Sequence, residues 1–185
     1  EVAGEVPRIY GSKVLYGEEQ NVQGPTKFTK TGFYVPKVAS FQQRYKGNLV
    51  AIIAGKDTGD GMDGGSLIDL TPLVKDGSLT WDVPAGNWQV MTFTWGYYVD
   101  DQRWANNYSN LWDQMSPLVD GANQEAVEWY LRTVYDAHYV RFQEDFGKII
   151  VGFFYDEPDV PADWGTEVST VLAERGVDWK KALVA

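Results

Sequence analysis

The chain has no cysteine among its 185 residues, so disulfides, thiolate nucleophiles and cysteine zinc sites are all excluded. It has one histidine, His138, which rules out a His-rich metal site and leaves any Ser-His-Asp triad dependent on that residue. No apolar run is long enough to span a bilayer, and no basic-then-apolar leader opens the chain, so no membrane partner is expected. Basic charge is scarce: 16 Lys and Arg stand against 26 Asp and Glu, a net charge of −10. Such a surface repels phosphate backbones, and a nucleic-acid partner is not expected. For chemistry this leaves carboxylates, and for recognition it leaves aromatics.

Aromatics are abundant, with eight Trp, eleven Tyr and eight Phe. Trp95, Tyr97, Tyr98, Trp104, Tyr108 and Trp112 lie close together in the sequence, with Asp and Asn among them. Flat amphipathic rings beside polar side chains suit a sugar, whose C–H faces stack while its hydroxyls take hydrogen bonds. The same rings would equally fill a β-rich core.

The pattern divides the chain into residues 1–98 and 99–185. The first part reads as a β-rich, sandwich-like or curled sheet, with short runs at 13–16, 27–35 and 48–54 between Gly, Pro and Asn. Two further runs, 78–83 and 88–95, flank Pro84-Ala85-Gly86-Asn87, which reads as a hairpin connection. Trp88 and Val90 face one way while Met91, Phe93 and Trp95 face the other, so this strand is expected to be central and covered on both sides.

The second part reads as α/β. Residues 123–146 have helical spacing, with Asn123 as cap and Gly147 as terminator. The apolar run 148–155 then predicts a strand buried on both faces of a parallel sheet. A helix is expected over 166–175, closed by Gly176, and a further amphipathic helix begins at the Asp178 cap. Because the chain stops within that helix and opens on Glu1, a piece of a longer parent chain is expected.

Gly59-Asp60-Gly61-Met62-Asp63-Gly64 matches G-x-G-x-x-G in letters only. Asp57, Asp60 and Asp63 would repel a pyrophosphate, and residues 67–72 do not read as a helix, so a hairpin loop is expected. The spacing of these aspartates is not that of an EF-hand either. His138 falls mid-helix without a partner pattern, and Asn107-Tyr108-Ser109 fits a glycosylation sequon of a kind common by chance.

The end of the 148–155 run is the strongest catalytic candidate, since barrel active sites form at the carboxyl ends of strands. Asp156 and Glu157 would point to opposite sides there, and Pro158 would end the ladder. Desolvation among Phe154, Tyr155 and Trp164 would raise the Glu157 carboxyl towards a general acid's range. Glycosidic chemistry normally needs a second carboxylate, and Asp100, Asp101, Asp113 and Asp120 are the candidates within the chain. Asp120 stands just before the helix cap, where a strand-end residue would sit.

The stretch Ser66-Leu67-Ile68-Asp69-Leu70-Thr71, followed by Asp76-Gly77-Ser78-Leu79-Thr80-Trp81-Asp82-Val83-Pro84-Ala85-Gly86-Asn87-Trp88-Gln89-Val90, resembles bacterial glycoside hydrolases of the family 106 α-L-rhamnosidase type. Residues 123–127, the helix end 141–147 and Gly152-Phe153-Phe154-Tyr155-Asp156-Glu157-Pro158 are similar to the barrel portion of such enzymes. The resemblance implies an α+β chain: a β-rich region followed by part of a (β/α)8 catalytic barrel. It implies an exported, extracellular or periplasmic enzyme acting on a carbohydrate substrate. Glu157 would be the acid, Asp156 or Asp120 would orient hydroxyls or water, and Asp113, Trp104, Trp112 and Trp164 would contact the sugar. Calcium enters by this resemblance alone; the residues show no ligand set for it and no other cofactor. The competing expectation is a non-catalytic carbohydrate-binding or structural β-module.

Overall fold

The computed structural model describes residues 13–37, 40–97, 119–153, 164–165 and 167–184. It is a mixed α+β chain that divides into two compact units. One unit gathers residues 15–96 with 166–185, the other 1–14 with 97–165.

The first unit is built on β1 (Lys13–Thr31) from residue 15 onward, β4 (Asn48–Lys56), β5 (Ile68–Asp69) and β6 (Ser78–Tyr97) up to residue 96, which form one sheet in the order β1-β6-β4-β5. A separate antiparallel pair is made by β2 (Tyr34–Lys37) and β3 (Ser40–Lys46). β4 runs antiparallel to β6, from Asn48 opposite Trp95 to Lys56 opposite Trp88, with an irregularity between Leu49 and Ala51.

β1 and β6 lie side by side with numbering that rises along one as it falls along the other. Gly17 adjoins Met91 and Phe93, Gly24 adjoins Pro84, and the Lys27 ammonium sits 2.9 Å from the Asp82 carboxylate. The Gly32 amide then donates to the Gly77 carbonyl at 3.2 Å.

Neither strand is straight. Ten residues of straight strand span about 33 Å, yet the Lys30 ammonium reaches the side chains of Gln20 and Glu18 at 3.0 Å each. In β6, Trp81 and Trp88 meet edge to face with centroids 5.4 Å apart, and the Trp88 indole N–H donates to the Pro84 carbonyl at 3.1 Å. The paired strands therefore bend back on themselves around Gly24 and 84–87. The hairpin connection expected at Pro84-Ala85-Gly86-Asn87 is instead a bend inside one continuous strand, in which Gly86 adopts φ +114°. The bend replaces a hairpin because β1 continues alongside and keeps the ladder paired.

The bend encloses the larger core. Leu79, Trp81 and Val83 from before it pack with Trp88 and Val90 from after it, together with Ile52, Ala54, Leu70 and Phe33. The other side of the sheet carries Ala51, Ile53 and Phe93. Residues 51–54 of β4 have no exposure at all, and a fully buried isoleucine contributes about 1.5–3 kcal/mol. The expectation that 88–95 is covered on both sides holds: Val90 serves one core and Phe93 the other.

The second side is covered from the far end of the chain. After α3 (Val168–Glu174), Gly176 turns at φ +74°, and α4 (Trp179–Ala182) starts with the Asp178 carboxylate accepting from the Lys181 amide. Leu183 and Val184 then pack against the Ala51, Ile53 and Phe93 cluster. The Lys180 ammonium meets Asp69 at 2.9 Å.

The second unit holds a helical stretch from Gln124 to Asp145: α1 (Gln124–Tyr130), a π-helical turn at Leu131–Asp136, α2 (Ala137–Phe142) and a 3₁₀ turn at Gln143–Asp145. Asn123 caps it, its side chain accepting from the Ala126 amide at 3.0 Å, and Gly147 follows with φ +79°. Start and stop are as expected. The segment after the stop is not. Residues 147–149 form a turn, Phe146 and Ile150 make one isolated bridge, and 151–153 have no regular structure. Ile149, Val151 and Phe153 are 77%, 86% and 63% exposed. The doubly covered parallel strand is therefore not formed over 148–153, because no described strand lies beside it to complete the ladder; residues 154 and 155 lie outside the described set. No (β/α) barrel is present among the described residues.

Candidate functional site

Of the side chains nominated from sequence, Asp120 and Trp164 are described; Asp156, Glu157, Trp104, Trp112 and Asp113 lie outside the described residues. Asp100, Asp101 and the sequon at Asn107 lie outside them too. Asp120 and Trp164 belong to the same compact unit and are brought together by Lys13, which in sequence does no more than open a strand. The Lys13 ammonium lies 2.9 Å from Asp120 Oδ2, and the Lys13 carbonyl accepts from the Trp164 amide at 3.3 Å.

The pair is dry. The two side chains are 2% and 0% exposed, and Trp164 is 6% exposed. The remaining Asp120 oxygen, Oδ1, accepts from the Ala122 amide at 3.0 Å, and the Asp120 carbonyl accepts from the Asn123 amide at 3.2 Å. Asp120 therefore closes the turn that hands the chain to the Asn123 cap. Both carboxylate oxygens are engaged, so the group is fixed in place and faces no solvent. Two opposite charges at hydrogen-bond distance compensate each other's desolvation, and either one left alone there would be strongly unfavourable.

Nothing in the sequence marks Lys13 for this. A lysine at the head of an apolar run ordinarily keeps its ammonium in water, and its partner is 107 residues away. Asn123, in contrast, is legible as a cap from its position before the helical spacing.

A second group of rings lies along the helix. Tyr130 meets Tyr135, Tyr135 meets Phe153, Phe153 meets Phe146 and Phe146 meets Tyr139, at centroid distances of 5.9, 5.0, 5.9 and 5.1 Å. Most of these contacts are edge to face, the favoured geometry for aromatic pairs. The surface around them stays open: Tyr139 is 52% exposed and Val140 74%. His138 is exposed and its ring bonds the Val134 carbonyl one turn back, a local helix contact.

The glycine-rich segment is a loop, as expected. Asp57 bridges to Met62, the Thr58 amide donates to the Gly61 carbonyl, and Asp63 caps a three-residue 3₁₀ turn at Gly64–Ser66. No helix N-terminus follows that could hold a phosphate. Among the described residues, no three Asp, Glu or His side chains converge as a metal site. Among the same residues no helix is long and apolar enough to cross a membrane. Comparison with protein-family models, with curated proteins and with solved structures returns no match.

Proposed function

We propose that this chain is part of an exported bacterial glycoside hydrolase that cleaves glycosidic bonds in oligo- or polysaccharides, of the α-L-rhamnosidase-like type its sequence resembles. The observation that carries the reading is the run 148–153, largely apolar in sequence and mostly open to solvent, which leads through Phe154 and Tyr155 into Asp156-Glu157-Pro158. An apolar run that neighbouring strands would complete, ending in a carboxylate at its carboxyl end, is what the mouth of a (β/α) barrel requires. The barrel's remaining strands would come from a longer parent chain.

In this reading Glu157 protonates the departing glycosidic oxygen, and Asp156 orients water or sugar hydroxyls. Trp104 and Trp112 stack on a sugar ring while Asp113 accepts from its hydroxyls. Asp120 and Trp164 act from behind. Their burial and their shared attachment to Lys13 suit groups that set the position of the loop rather than groups that touch sugar. The second acid–base carboxylate of the pair is supplied by the parent chain.

A carbohydrate-binding β-module is the competing reading, favoured by the first unit's own two-sided core. One experiment separates them: hydrolysis of a chromogenic glycoside panel that includes an α-L-rhamnoside, by this chain and by the parent, each with and without Glu157→Gln. The expected result is a silent short chain and a parent whose turnover falls at least about 100-fold on substitution. Parent turnover that survives Glu157→Gln would remove the acid role. Oligosaccharide binding that is indifferent to the substitution, with no hydrolysis by either chain, would favour the binding module.

A further inference from the structure

Two of the lysine–aspartate pairs at 2.9 Å, Lys13–Asp120 and Lys180–Asp69, stand in very different surroundings. Lys13 and Asp120 are sealed from water, so parting them would strand two charges in the interior. Lys180 and Asp69 keep 28% and 29% of their side-chain surface in solvent, so each is hydrated at once when they part. Asp69 would also keep its bond from the Thr71 amide, 2.9 Å, which belongs to the sheet side alone.

The segment that carries Lys180 is lightly held in other ways. No residue of α3 or α4 is buried, α4 is four residues long, and Val171 and Val177 are 41% and 40% exposed. Leu183 and Val184, both only partly buried, pack against Ala51, Ile53 and Phe93. Those sheet residues are held independently by the β4–β6 ladder.

We infer that residues 167–184 form a strap that opens as a unit, uncovering the Ala51, Ile53 and Phe93 side of the sheet while the sheet itself stays folded. Segments with few buried apolar contacts and solvent-facing hydrogen bonds open below the global unfolding free energy. The strap meets both conditions and β4 meets neither. Lys180–Asp69 is its latch. The inference is independent of the glycosidase reading.

Hydrogen exchange on the full chain tests it. After correction for intrinsic rates, amides of 179–184 should exchange at least about tenfold faster than those of 51–54. Lys180→Ala should speed the strap amides a further several-fold and leave 51–54 unchanged. Raising sodium chloride to about 0.5 M on the wild-type chain should do the same by screening the latch, which keeps the test in hand if the variant does not fold. Equal exchange in strap and sheet, or a variant or salt effect that speeds both together, would overturn the strap and make 167–184 part of the sheet's cooperative unit.

Discussion

At the scale of single residues, burial decides what an ion pair does. Removing one member of the Lys13–Asp120 pair leaves its partner charged and dry. Lys13→Met and Asp120→Asn are each expected to destabilise their unit by about 3–5 kcal/mol, and the double variant by clearly less than the sum. Urea denaturation of the four proteins measures the coupling, and additive effects would mean that the charges do not interact. Asp69 gives the opposite case. Partial burial raises its carboxyl, but hydrogen bonds from Thr71 and Lys180 outweigh that and hold it below the ordinary value of 3.8. A depressed carboxylate contributes stability above its unfolded-state value, and that contribution is lost as pH falls through the folded-state value. Asp69→Asn should therefore be less stable than wild type at neutral pH by about 1 kcal/mol at most, with the gap closing below about pH 4. Thermal melts across that range, at low and high salt, check the sign. None of this is visible in sequence, where Lys13 and Lys180 are ordinary lysines with aspartates more than a hundred residues away.

At the scale of elements, the local signals are good and the pairing signals poor. Caps, stops and faces are legible because each depends on a few adjacent residues: Asn123 and Asp178 as caps, Gly147 and Gly176 as stops, Val90 and Phe93 on opposite faces. Pro84-Ala85-Gly86-Asn87 carries a turn signal, and the chain does bend there. Whether the bend separates two strands or lies within one depends on β1, some sixty residues earlier, which no local pattern reports. The bend has a tight point that can be tested. A Cβ on Gly24 would lie 1.9 Å from the Pro84 carbonyl oxygen, a backbone atom that no side-chain rotation can clear. Gly24→Ala should cost at least about 1–3 kcal/mol, read as a fall in the unfolding midpoint. Gly59→Ala meets no neighbour within 4 Å, so it would add only the strain of its φ of +89°. A loss at Gly24 no larger than that at Gly59 would remove the close approach at the bend.

At the scale of the whole molecule, the two units differ in how well their apolar residues are covered. The sheet unit buries both faces of the middle of β4 and of the later part of β6, whereas the helical unit leaves Val140, Ile149 and Val151 between 74% and 86% exposed. Sequence could not foresee this, because the helical spacing of 123–146 and the apolar run of 148–155 report what a segment is suited to pack against, not whether a neighbour is there. The covering is therefore a quantity to measure. In this chain Val140→Lys and Val151→Lys should change stability by no more than about 0.5 kcal/mol, as at other exposed sites. Ile53→Ala, with no exposure in the native sheet, should cost about 2–5 kcal/mol under the same conditions. In the longer parent of the proposed hydrolase the same two valines would be packed, and a buried charge without a partner would then be strongly destabilising. Losses near zero in the short chain and of several kcal/mol in the parent would mean that the exposed face is completed by the rest of a barrel. Small losses in both would leave it a true surface, and the glycosidase reading would lose the observation it rests on.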